Sequence, residues 1–146
     1  MNIEETVRMF SNCYIKDNKI VVQKDFKEFI VLMKNDYKFD MLKQIIATDN
    51  QNDGIELSYQ LYSSDNNEDI FVAQVVTQDA ETVTDIFKSA IADENEIYDL
   101  FGINFIGNEN LKRLYMPESW EGFPLRKDYV QNDTRLAWND DNEIQT

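Results

Sequence analysis

Apolar residues recur along the first two thirds of the chain at the two spacings that mark helix and strand faces, about 3.6 and 2 residues. Ile3, Val7 and Phe10 mark a short N-terminal helix. Lys19–Gln23 (KIVVQ) reads as a strand. Asp25 opens a second helix, with Glu28 three positions on as its capping-box partner and Phe26, Phe29, Ile30, Met33 and Tyr37 as its apolar face. Met41–Thr48 reads as a strand carrying Leu42, Ile45 and Ile46, and the polar run Asp49–Gly54 as a turn. Ile55, Leu57, Tyr59 and Leu61 then alternate with Glu56, Ser58 and Gln60, the mark of a half-buried strand. A second polar turn, Ser63–Asp69, leads into Ile70–Thr77 (IFVAQVVT), a more completely buried strand. Val83, Ile86, Phe87, Ala90 and Ile91 return to the helical spacing, with Thr82 as N-cap; Asp93 and Glu96 form a further capping box, and Ile97, Leu100 and Phe101 continue the stripe. Gly102 falls where a left-handed C-terminal residue belongs, and Ile103–Ile106 reads as a brief strand ended by Gly107.

Short turns between the middle strands imply antiparallel pairing. The expected fold class is α+β: a two-layer sandwich of helices on one mixed, largely antiparallel sheet, over residues 1–110. An extended irregular segment, 111–130, follows, and then an acidic tail, 131–146, expected to be flexible.

Between Leu111 and Val130 neither period holds. Three of the four glycines and both prolines fall between Gly102 and Pro124. These residue types dictate special backbone angles, so this stretch is written for a particular path. It also carries Leu111, Leu114, Tyr115, Met116, Trp120, Phe123, Leu125 and Tyr129. So many apolar side chains call for cover, from this domain's sheet or from another protein.

Charge sharpens the contrast. The chain carries a net −14 over 146 residues. Residues 108–130, however, are neutral, with Lys112, Arg113, Arg126 and Lys127 in two close pairs. A field of this sign opposes nucleic acid and anionic lipid. There is no histidine and one cysteine, Cys13. Ser–His and Cys–His nucleophilic chemistry, an intrachain disulfide, and zinc or iron–sulfur sites built from several Cys or His are thereby excluded on this sequence. The longest apolar run, Phe29–Met33, is far short of the roughly 20 residues of a membrane span, and MNIEETVRMF lacks an apolar signal core. Cytoplasmic placement without direct membrane insertion is expected.

Three constellations compete for a functional role. The carboxylates Asp93, Glu94, Glu96 and Asp99 include an i, i+3 pair, Glu96 and Asp99, which is acid–base chemistry on one reading and ordinary helix capping and ion pairing, with Arg113 or Arg126 as partner, on the other. Arg126 and Lys127 resemble an anion-binding pair, but Asp128 follows at once and no glycine-rich cradle precedes them; docking, with Arg126 meeting a carboxylate across an interface, fits better. Trp120, Phe123, Leu125 and Tyr129 are apolar anchors for a core or an interface.

The run Tyr98-Asp99-Leu100-Phe101-Gly102-Ile103, then Phe105, Gly107, Leu111, Arg113, Leu114, Met116-Pro117, Trp120-Glu121-Gly122 and Pro124-Leu125-Arg126-Lys127-Asp128-Tyr129, closely resembles the signature of the 30-kilodalton subunit family of respiratory complex I, NADH dehydrogenase. The same module occurs in energy-converting membrane-bound hydrogenases and formate hydrogenlyase. Asn108 and Phe123 stand where the family usually has histidine. The resemblance implies an accessory subunit with no redox cofactor and no active site on this chain. It would sit at the cytoplasmic face of the membrane as part of a peripheral arm. Its partners would be the hydrogenase-like large subunit and neighbouring iron–sulfur subunits. Glu96, Asp99, Arg113, Arg126, Lys127 and Asp128 would fix the segment and its docking, and Trp120, Phe123, Leu125 and Tyr129 would supply apolar contact. A free-standing regulatory or interaction module is the alternative.

Overall fold

A computed structural model describes residues 3–113, 116 and 122–126. The described residues form an α+β fold, with three α-helices and a mixed five-stranded sheet. In chain order the elements are α1 (Ile3–Met9), β1 (Cys13–Lys16), β2 (Lys19–Val22), α2 (Phe26–Asn35), β3 (Met41–Asp49), a 3-10 turn (Gln51–Asp53), β4 (Ile55–Ser63), β5 (Glu68–Val76), β6 (Asp79–Glu81), α3 (Ala90–Phe101) and β7 (Asn104–Ile106). The main sheet runs β1-β2-β5-β4-β3. Its pairs are antiparallel except β2–β5, and β6 and β7 form a separate parallel pair.

The alternating pattern of β4 does what its period requires. Ile55, Leu57, Tyr59 and Leu61 are buried on one face and join Ile70 and Val72 of β5 with Phe26, Phe29, Ile30 and Met33 of α2 in one core. Phe26 meets Tyr59 ring to ring at 4.7 Å. Ile97 and Phe101 of α3 complete the cluster. The antiparallel β3–β4–β5 arrangement agrees with the short polar turns that link these strands.

Several sequence expectations need correction. The β1–β2 hairpin was not foreseen. Its turn is Asp17-Asn18, both left-handed at φ 53° and 60°, which is the two-residue geometry that matches strand twist. Asp25 does not form a capping box: its backbone is left-handed (φ 57°, ψ 48°), whereas side-chain capping needs an extended residue, and no side-chain cap bond forms. Tyr37 lies beyond the end of α2, where Phe39, fully buried, is tied back by its N–H to the Met33 carbonyl at 3.0 Å. The stretch expected as a helix from Val83 is a succession of turns, and α3 begins only at Ala90. Thr82 does not cap it and Asp93 opens no capping box. Thr82 Oγ1 instead accepts the Thr84 N–H at 3.1 Å within the turn and donates to Glu94 of α3, and Asp93 reaches across to β3.

α3 seals the edge of the main sheet. The Asp93 carboxylate accepts the Ile45 N–H at 3.1 Å, and the Ser89 hydroxyl donates to the Leu42 carbonyl at 2.9 Å. These bonds occupy groups that an edge strand would otherwise present to another chain. At its other end α3 stops as its sequence foretells: Gly102 is left-handed (φ 77°, ψ 21°) and donates to the Tyr98 carbonyl at 2.9 Å. The brief strand expected at Ile103–Ile106 is present as β7, followed by Gly107 at φ 93°.

Candidate docking segment on helix α3

Three polar side chains on α3 are buried: Glu94 and Asp99 fully, Asn95 nearly so. Each holds a different piece of chain. Glu94 Oε1 accepts the Thr82 hydroxyl at 2.6 Å and the Asn108 side-chain amide at 3.1 Å, while Oε2 accepts the Val83 N–H at 2.9 Å. A buried carboxylate must recover in hydrogen bonds what it loses in hydration. Burial pushes its pKa up, and the bonds from Thr82, Val83 and Asn108 pull against that shift. Asp93 is also shifted up by burial, opposed by its bond from Ile45.

The other two hold the segment that follows. Asn95 Oδ1 accepts the Lys112 N–H at 3.1 Å. Asp99 Oδ1 lies 3.3 Å from Arg113 Nε in an ion pair that is almost wholly buried, and its Oδ2 accepts the Met116 N–H at 3.1 Å. The Arg113 guanidinium also donates to the Gly122 carbonyl at 2.7 Å. It sits 5.0 Å from the centre of the Phe123 ring, a cation–π placement. Tyr98 flanks the same ring at 6.4 Å.

Beyond Phe123 the chain returns to the end of the helix. Leu125 N–H donates to the Leu100 carbonyl at 2.9 Å, and Arg126 Nε donates to the Phe101 carbonyl. The last carbonyls of a helix lack intrahelical partners, and here the following segment supplies them. Arg126 also donates through Nη2 to the Thr77 carbonyl at 3.1 Å. Gly102 makes the closure possible: a Cβ there would stand 2.5 Å from the Phe123 ring.

Of the residues singled out in the sequence, Asp99, Arg113, Phe123, Leu125 and Arg126 are thus gathered at the C-terminal half of α3. Glu96 lies on the same helix but is exposed, so it does not share a buried face with Asp99. Two surface cavities include neither residue in their linings. Trp120, Lys127, Asp128 and Tyr129 lie outside the described residues. Within this chain Arg126 meets two main-chain carbonyls, and of the two arginines offered as partners for the helix carboxylates it is Arg113 that pairs with one. Glu94, Asn95 and Asn108 were not assigned these roles, yet a signal existed for Glu94. It precedes Ile97 by three and Phe101 by seven positions, which places a carboxylate on the apolar stripe.

Among the described residues, no group of three or more His, Cys, Asp or Glu side chains could hold a metal, and no helix is long and apolar enough to cross a membrane.

Comparison with known proteins points one way. The family model described as the respiratory-chain NADH dehydrogenase 30-kilodalton subunit matches residues 20–135. The C/D subunit of NADH-quinone oxidoreductase from Phocaeicola vulgatus is 30% identical over 132 residues, 88% of this chain and 25% of the relative. The J subunit of NAD(P)H-quinone oxidoreductase from Prochlorococcus marinus is 47% identical over 64 residues, covering 44% of this chain and 35% of the relative. The chain therefore spans about a quarter to a third of the length of these relatives. Among solved structures, a trypsin-resistant fragment of Nqo5 superposes with a TM-score of 0.65 at 29% identity, covering 75% of this chain and 96% of the fragment. A chain of an archaeal membrane-bound sulfane sulfur reductase complex shares the fold, with a TM-score of 0.75 at 23% identity over 99% of this chain and 91% of that one.

Proposed function

Because the chain belongs to the 30-kilodalton subunit family of respiratory-chain NADH dehydrogenase, we propose that it is an accessory subunit of a complex-I-like oxidoreductase. In this reading electrons pass through other chains and this one contributes structure. It carries no histidine and a single cysteine, which supports a subunit without a redox centre of its own. The assembly is an NADH:quinone oxidoreductase or a membrane-bound hydrogenase, and this chain belongs to its peripheral arm, on the cytoplasmic side.

The observation that carries the reading is the attachment of the neutral, glycine- and proline-marked segment to α3. Arg113 and Arg126 hold its described residues against the fold, so these are placed before any partner arrives. That preorganisation lowers the entropy lost on association. Leu125 is held by its backbone yet remains 52% exposed, and Ile106 of β7 is 54% exposed. An apolar side chain held on a fixed backbone in solvent suits an interface. The proposed partner is the hydrogenase-like large subunit, with iron–sulfur subunits nearby. The Phocaeicola relative, whose name joins C with D, is about four times longer than the region matched. In this reading the remainder of such a fused chain is the large subunit.

The test is co-purification of the affinity-tagged chain from its native host. The large subunit should accompany it, and Trp120→Ala or Arg126→Ala should reduce its recovery. Recovery of the wild-type chain alone, as a stable monomer or with an unrelated partner, would overturn the proposal in favour of a free-standing module.

A further inference from the structure

Arg126 is anchored from one side only. Its Nε donates to the Phe101 carbonyl and one Nη2 proton goes to the Thr77 carbonyl at 3.1 Å. A guanidinium has five N–H donors in a rigid fork. Among the described residues no acceptor takes the other three. The side chain lines an open cavity of about 660 Å³ together with Asp49, Gln51, Asn52, Thr77 and Gln78. The cavity lies between the ends of β3 and β5, the 3-10 turn that leads into β4, and the end of the docking segment.

Three features narrow the occupant. The unspent donors and fixed plane of the guanidinium fit a carboxylate, which accepts two parallel N–H bonds. The net charge of −14 works against collecting a free anion from solution. For a carboxylate carried on a bound polypeptide that penalty is offset, since its effective concentration is set by the tether. The space also exceeds what one small anion fills, and the amide side chains of Gln51, Asn52 and Gln78 offer both donors and acceptors to the peptide groups beside such a carboxylate.

We propose that this cavity receives an aspartate or glutamate side chain of the partner subunit, held by the open side of Arg126. The inference rests on the reading of the chain as a docked subunit and names the contact through which part of that docking occurs.

Arg126→Lys provides the probe. A primary amine placed there can be joined to a touching carboxylate by a water-soluble carbodiimide in the purified complex. Peptide mapping by mass spectrometry should find position 126 linked to an acidic residue of another subunit, a product absent from the wild-type complex. Linkage only to Asp49 or another carboxylate of this chain, or no linkage at position 126 in an intact complex, would overturn the inference. Asn52→Asp offers a second measure that leaves the anchor untouched, since Asn52 is exposed on the cavity rim. A like charge facing the incoming carboxylate should weaken association about tenfold at low salt, while Asn52→Lys should not weaken it. Equal behaviour of the two variants would also overturn the inference. A wild-type chain that recovers no partner defeats the parent reading; an intact complex with either negative result defeats this contact alone.

Discussion

A carboxylate at position 94 gives up all contact with water and receives three donors, from Thr82, Val83 and Asn108, with no cation among them. Burial dominates the balance and raises its pKa above the ordinary 4.5. The folded state therefore binds the proton more tightly than the unfolded chain. The resulting stabilisation is fully present below the unfolded value and is lost as pH rises through the folded one. Glu94→Gln removes the titration and keeps the shape. The stability of the wild type relative to this variant should accordingly increase as pH falls from 7 toward 4.5, measured by urea unfolding at each pH. A constant difference would mean that the bonds balance burial at this site, and one that moves the other way that they outweigh it. The sequence foretold the helix and the acidic cluster, but it set Glu96 beside Asp99 as the pair of interest. Spacing alone gives which side chains are neighbours; it does not say which of them the rest of the chain will cover. That depended on Asn108 and Thr82, distant in sequence and polar enough to satisfy a buried acid.

At the scale of elements, α3 is the part on which the others depend. Its first turn seals β3 through Asp93, its middle holds the Thr82–Val83 turn and Lys112, and its end receives Phe123, Leu125 and Arg126. Gly102 is the joint between helix and returning segment. Gly102→Ala puts a methyl where the Phe123 ring lies and forces a left-handed backbone on a residue with a Cβ. The backbone term alone costs roughly 1–2 kcal/mol. The ring clash adds to it, because Phe123 is confined by Arg113 and Tyr98. Thermal unfolding should show the loss. Loss of protection at the Leu125 amide in hydrogen exchange should accompany it, since that N–H reaches Leu100 only if the chain folds back. Unchanged exchange at Leu125 would mean that the returning segment does not depend on the glycine. Gly102 itself was legible as a helix stop because a glycine after an apolar stripe has one common use. The β1–β2 hairpin was not, since Asp-Asn is a weaker turn signal than Asn-Gly and Cys13–Lys16 buries too little to show alternation. The extension of α3 back to Val83 failed for another reason: Val83, Phe87 and Ala90 are indeed buried, but a series of turns can bury the same positions that a helix would.

For the whole molecule the central question is whether the segment after α3 unfolds with the domain or apart from it. Its described residues are held by the buried ion pair of Asp99 with Arg113 and by several bonds between main chain and α3, so they should behave as part of the core and not as a loose arm. Breaking a buried pair on one side leaves an uncompensated charge and costs about 3–5 kcal/mol. Asp99→Ala removes the carboxylate that pairs with Arg113 and accepts the Met116 N–H, while Arg113 keeps its bond to the Gly122 carbonyl, and should destabilise the protein by up to that amount. Trypsin makes the consequence visible. The Arg113 side chain is 7% exposed in the wild type, so the bond that follows it should resist limited digestion, although trypsin favours arginine. In Asp99→Ala the same bond should become an early cut under conditions where the β3–β4–β5 sheet still resists. Rapid cleavage after Arg113 in the folded wild type would show that the segment opens independently. It would then meet its partner unordered and bear the full entropic cost on association, and the preorganisation on which the docking argument depends would be lost.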